Sequence, residues 1–132
     1  MDTDSTTHNN KYMLGLARLA EIDPRAGDEI VEPLGALGRY IMEFAYGDIY
    51  NRPGLSSRDR ALLTIGMLTA LGGHSLPLKV HLAGALRLGL TAPEIEEIII
   101  HSVLYAGFPN AIDAQRLLLE VLAEQKAETQ TE

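Results

Sequence analysis

The sequence contains no cysteine. That absence excludes disulfides, thiolate nucleophiles, zinc–thiolate sites and iron–sulfur clusters. No apolar run reaches the roughly 18 residues that a membrane-spanning helix needs. Strand signals are missing too, because no alternating β-branched runs flank a hairpin turn. The first ten residues, MDTDSTTHNN, are polar and include Asp2 and Asp4. They do not read as a secretory signal, so the cytoplasm is the expected setting. Cations are scarce: eleven Lys and Arg stand against eighteen Asp and Glu, a net charge of −7. Such a balance opposes nucleic-acid binding, which needs clustered cations. No H-E-x-x-H, G-x-S-x-G, P-loop or dinucleotide fingerprint occurs.

What is present is a chain of 132 residues, 46% of them hydrophobic, with glycine and proline dividing helical segments. Composition assigns residues 1–10 and 126–132 to solvated, flexible tails around one helical domain over residues 11–125. A first helix is expected over about Lys11–Glu21, stopped at Asp23-Pro24. A second, about Pro33–Tyr46, carries Leu34, Leu37, Ile41 and Phe44 on one stripe. A third starts at Ser56 and runs through ALLTIGMLTAL, apolar on nearly every face, the pattern of a helix buried all round. A fourth follows Ser75 and places Leu78, His81, Leu82, Ala85 and Leu88 together. Thr91-Ala92-Pro93-Glu94 matches a capping box that opens a fifth helix, ending at Gly107. A sixth begins near Pro109. The fifth helix has apolar residues on two faces, with Ile95, Ile98 and Ile99 on one and Ile100, Val103 and Leu104 on another. One small bundle rarely covers that much, so a contact with a second copy is expected.

Three groups of residues are candidates for chemistry. His81 lies on a core-facing stripe, where an imidazole either exchanges a proton or serves as a satisfied core residue. Arg52, Arg58 and Arg60 are three of the eight arginines within nine residues. They flank a Pro-Gly turn and a helix N-terminus, a setting that suits a carboxylate or equally an internal acid. His101, Tyr105 and Glu97 recur at i, i+4 spacing and are close enough to touch. His74 sits in the Gly-Gly-His-Ser turn, as a mobile acid or merely a loop residue. His8 falls in the tail and is set aside. His74 and His81 are seven apart and fit no zinc motif.

The order of motifs resembles the carboxymuconolactone decarboxylase family. The resemblance rests on Tyr46-Gly47-Asp48, Arg52-Pro53-Gly54-Leu55-Ser56, Arg58-Asp59-Arg60 and His81-Leu82-Ala83-Gly84-Ala85-Leu86. It continues through Gly89-Leu90-Thr91 and Tyr105-Ala106-Gly107-Phe108-Pro109, covering about residues 30–122. It implies an all-α, compact bundle of about six helices, alkylhydroperoxidase D-like and assembled as a homotrimer or homohexamer. Peroxidases of that superfamily place a C-x-x-C pair ahead of a histidine. Here His74 and Pro77 stand at those positions before His81, so dithiol peroxide reduction is excluded. Pro77 also replaces the acidic residue that decarboxylases of the family often carry there.

The resemblance implies decarboxylation of a γ-carboxymuconolactone-like acid without metal or organic cofactor, because the conjugated lactone is its own electron sink. In that reading Arg58 or Arg60 holds carboxylate, backbone N–H groups near Ser56 face the enolate oxygen, and His81 delivers the proton. Tyr46, Arg52, His74, His101 and Tyr105 complete the expected substrate-binding set. Two other readings suit the same residues: a cofactor-free cyclase or isomerase, and a non-catalytic protein that binds small molecules.

Overall fold

The computed structural model describes residues 3–130, with side chains from residue 5 onward. It is all helical, with no strand among the described residues. The chain divides into two compact units, residues 1–57 and 58–132.

In the first unit, α1 spans Thr3–Ile22 and packs on a widened segment, Ile41–Ile49. Short turns at Gly27–Val31 and Glu32–Leu34 and the helix α2 (Ala36–Tyr40) connect them. The 41–49 segment is a π-helix, as the bond from the Tyr50 amide to the Ala45 carbonyl shows (2.8 Å). Long π-helices are rare. Gly38, Met42 and Tyr46, four residues apart, share the buried face with Glu43 and Gly47. The expected stripe therefore points the other way: Leu34, Leu37 and Phe44 are exposed. Arg18 locks α1 to the following turn, donating to Asn51 Oδ1 (3.0 and 2.9 Å) and Ser57 Oγ (2.9 Å). Asn51 in turn donates to the carbonyls of Tyr46 and Gly47, closing the end of the widened segment.

In the second unit, α3 (Ser57–Leu71), α4 (Ser75–Arg87), α5 (Ala92–Ala106) and α6 (Phe108–Gln130) surround one core. Its fully buried centre is Ile65, Leu82, Ile95 and Leu118, one from each helix. Each such side chain contributes about 1.5–3 kcal/mol by leaving water. Thr91 and Glu94 form the expected capping box, the Glu94 amide donating to Thr91 Oγ1 (3.2 Å). Gly89 and Gly107, both at positive φ, end α4 and α5. Lys79 of α4 reaches Glu120 (2.9 Å) and Glu124 (2.8 Å) of α6. Asn110 of α6 donates to the Ala70 carbonyl at the end of α3 (3.0 Å).

The structure adds to two expectations and corrects a third. The stretches read as tails are helical from Thr3 and as far as Gln130, as their side chains permit. On α1, His8, Lys11, Gly15, Leu19 and Ile22 follow helical three-and-four spacing, and the last three are buried. On α6, Ala123, Glu124, Gln125 and Lys126 are strong helix formers. The stretch expected as one domain over 11–125 spans both compact units, which part between Ser57 and Arg58. Finally, α3 is not buried all round: only Ala61, Ile65 and Thr69 are, while Leu62, Leu63, Met67 and Leu71 are exposed. Within this unit, α3's neighbours cover one stripe and leave the other apolar face open.

Candidate active site

His81 sits on α4 between buried Leu78 and Leu82. Removal from water disfavours its charged form, and burial pushes its pKa down to about 4. At neutral pH its imidazole is therefore uncharged. His74 stands at the N-cap of the same helix, exposed and two turns away, and forms no side-chain cap bond. No His/Cys/Asp/Glu cluster suited to a metal occurs among the described residues.

A cleft of about 570 Å³ runs between α3 and α5. Leu62, Leu63, Gly66, Met67 and Ala70 form one wall. Glu94, Glu97, Ile98, His101, Ser102 and Tyr105 form the other. The floor is open because Gly66 carries no side chain: a Cβ there would meet only Ile98, at 3.8 Å. His101 and Tyr105 lie one turn apart with ring centroids 6.0 Å apart and planes tilted by 50°. At one end, Arg58 from the first turn of α3 pairs with Glu94. Glu94 is held twice over, since its other oxygen accepts from the Thr91 amide (3.0 Å) and hydroxyl (3.1 Å). The Arg58 guanidinium and the Thr91 amide together hold its carboxyl below the usual carboxylate range.

The structure thus gathers part of the expected site. His101 and Tyr105 line the α3–α5 cleft and Arg58 reaches its edge through Glu94, whereas His81 does not line it. Arg60 follows on α3, half-buried. Tyr46 and Arg52 belong to the first unit. Tyr46 is buried there, stacked on Tyr50 at 4.7 Å, and burial raises its hydroxyl pKa. Arg52 lies in the exposed turn that follows.

Two acids escaped the sequence reading. Glu94 passed as a cap alone, and nothing in its spacing marks Arg58, 36 residues earlier, as a partner. Glu43 is buried between His8 Nδ1 (3.3 Å) and Arg39 Nε (3.3 Å). His8, set aside as a tail residue, is therefore part of the first unit; the helical spacing from His8 to Ile22 was the available signal.

Residues 35–120 match the sequence profile of the carboxymuconolactone decarboxylase family, more than half of the chain. The chain belongs to that family. Among its relatives is a 4-carboxymuconolactone decarboxylase of Acinetobacter baylyi, 39% identical over 85 residues, which cover 64% of this chain and 63% of the relative. A nitrosuccinic acid decarboxylase of Metarhizium robertsii is 39% identical over 74 residues, covering 56% and 51%. An uncharacterized 15.0 kDa protein of Paracoccus denitrificans is 33% identical over 111 residues, covering 83% and 81%. The chain thus spans less than two thirds of either decarboxylase it matches. The all-α architecture is that of the family.

Proposed function

We propose that the chain is a decarboxylase of a small organic acid, with a carboxylated lactone of the γ-carboxymuconolactone kind as substrate. The observation that carries this reading is His81, a half-buried imidazole of lowered pKa set between buried Leu78 and Leu82 on α4, in a family with decarboxylase-named relatives. In the reaction, the bond from the ring carbon to its carboxylate breaks and carbon dioxide leaves. The electron pair passes into the conjugated carbonyl as a dienolate, and a proton then adds to carbon. No cofactor is required for this balance, since the lactone accepts the electrons itself.

An uncharged His81 has no readily donated proton at neutral pH. A substrate carboxylate reaching it outside the α3–α5 cleft, which His81 does not line, would favour the imidazolium and raise its pKa, so substrate and proton would arrive together. Arg58 or Arg60 would hold a carboxylate, and backbone N–H groups at the start of α3 would face the enolate oxygen. Arg58 is engaged by Glu94, so a substrate carboxylate must displace an internal one to reach it. We assign the outer face of α5 to a contact with a second copy in a homotrimer or homohexamer: Ile100 and Leu104 are 54% and 72% exposed there.

The test is incubation with γ-carboxymuconolactone and measurement of carbon dioxide release. Release by the wild type that falls sharply in His81→Gln supports the reading. A product isomeric with the substrate would point instead to an isomerase or cyclase, and binding without turnover to a non-catalytic protein.

A further inference from the structure

Glu94 does two tasks with one carboxylate. One oxygen caps α5 through Thr91, and the other occupies Arg58. The cap alone explains a Glu at this position, but it does not explain why Arg58 is drawn to the end of an open apolar cleft. The cleft has the size and the apolar walls of a small-molecule site. Gly66, at ordinary helical φ, leaves its middle unfilled. The guanidinium presents a flat fork of donors that fits any carboxylate, internal or external.

We propose that Glu94 is an internal stand-in for a ligand carboxylate on Arg58, and that the α3–α5 cleft takes a carboxylate with an apolar, ring-sized body. The inference rests on the reading of Arg58 as a carboxylate clamp and adds to it a specificity-determining residue, Glu94, that sets how readily the clamp opens. The ligand's body lies against Leu62, Met67 and Ile98, and its carboxylate replaces the Glu94 oxygen on Arg58. Glu94 then keeps only its cap bonds to Thr91. Both residues of the ion pair are part-exposed, so the exchange trades one solvated pair for another.

Glu94→Gln separates the two tasks, because Gln serves equally at this position of a capping box but carries no charge. The probe is benzoate, titrated calorimetrically, with benzamide as its uncharged counterpart. Glu94→Gln is expected to bind benzoate about twofold to fivefold more tightly than the wild type, the range an exposed ion pair supports. Benzamide should bind both equally. Adding Arg58→Ala should remove the gain, and Gly66→Leu should abolish binding of both probes by filling the cleft. Melting temperatures verify that each variant is folded. No gain in Glu94→Gln, or a gain that survives loss of Arg58, would overturn the proposal. Failure of any protein to bind benzoate would do the same. Carbon dioxide release is followed separately: turnover without benzoate binding rejects the cleft and keeps the decarboxylase, and binding without turnover does the reverse.

Discussion

Gly15 and Gly47 meet backbone to backbone where α1 crosses the widened 41–49 segment. A Cβ on Gly15 would lie 2.1 Å from the Met42 carbonyl oxygen and 3.0 Å from the Gly47 nitrogen. A Cβ on Gly47 would lie 2.6 Å from the Lys11 carbonyl oxygen. These contacts are with backbone, which cannot rotate aside. Gly15→Ala is therefore expected to lose about 1–3 kcal/mol in urea denaturation, despite alanine's better helix propensity. Gly54→Ala, with nothing within 4 Å of the added carbon, should be close to neutral. Equal effects at the two positions would contradict the close crossing.

Burial of His81 makes stability depend on pH in a definite direction. Its folded pKa of about 4 lies below the ordinary 6.5. Between these values the unfolded chain takes up a proton that the folded chain refuses. Stability from this group is complete above the upper value and falls as the pH drops toward the lower one, by about 3 kcal/mol in all. His81→Gln should lose that part of the acid sensitivity. Denaturation midpoints at neutral pH and near pH 4.5 measure it, and a parallel loss in both proteins would reject the burial account.

Catalytic and structural roles separate when rate is compared with folding. His81→Gln should lower kcat by about 10²–10⁴-fold per folded molecule, the usual range for a general acid. Arg58→Ala and Arg60→Ala should chiefly raise KM or lower kcat/KM, as loss of a carboxylate clamp does. Steady-state kinetics beside melting curves decide between the roles. Variants that melt early yet turn over normally would assign these residues to the scaffold.

Much of the second unit was legible in the sequence because its signals are local. The Thr91–Glu94 box and the glycines at 89 and 107 lie within a turn of the ends they mark. The stripe of Leu78, Leu82 and Ala85 likewise predicts the buried face of α4. The first unit was harder, because its second helical stretch offers two apolar stripes: Met42 and Tyr46 point inward while Leu37 and Phe44 point out, and nothing local marks which one is covered. The candidate site was legible residue by residue but not as an arrangement. Arg58 and Glu94 are 36 positions apart, and only packing of α3 beside α5 brings them together. Sequence also cannot tell an apolar helix that is covered from one that waits for cover, which is where α3 misled.

The exposed outer face of α5 gives a prediction for assembly. Ile100→Asp places a charge where Ile100 and Leu104 would be buried against another copy. Sedimentation should show the wild type as a trimer or hexamer and the variant shifted toward monomer at the same micromolar concentration. A wild-type monomer, or an assembly indifferent to the charge, would remove this face from consideration.

Helix ends ordinarily fray, because their last carbonyls have only water to turn to. At the end of α3 the Asn110 amide takes up the Ala70 carbonyl, and Gly72, at positive φ, leaves no room for a side chain against that same amide. The last turn of α3 is thereby stitched to the first turn of α6, forty residues later. It would break this bond by unwinding. Its amides should exchange hydrogen with solvent at the pace of the α3–α6 pair rather than that of a loose end, making the far rim of the cleft slow to open.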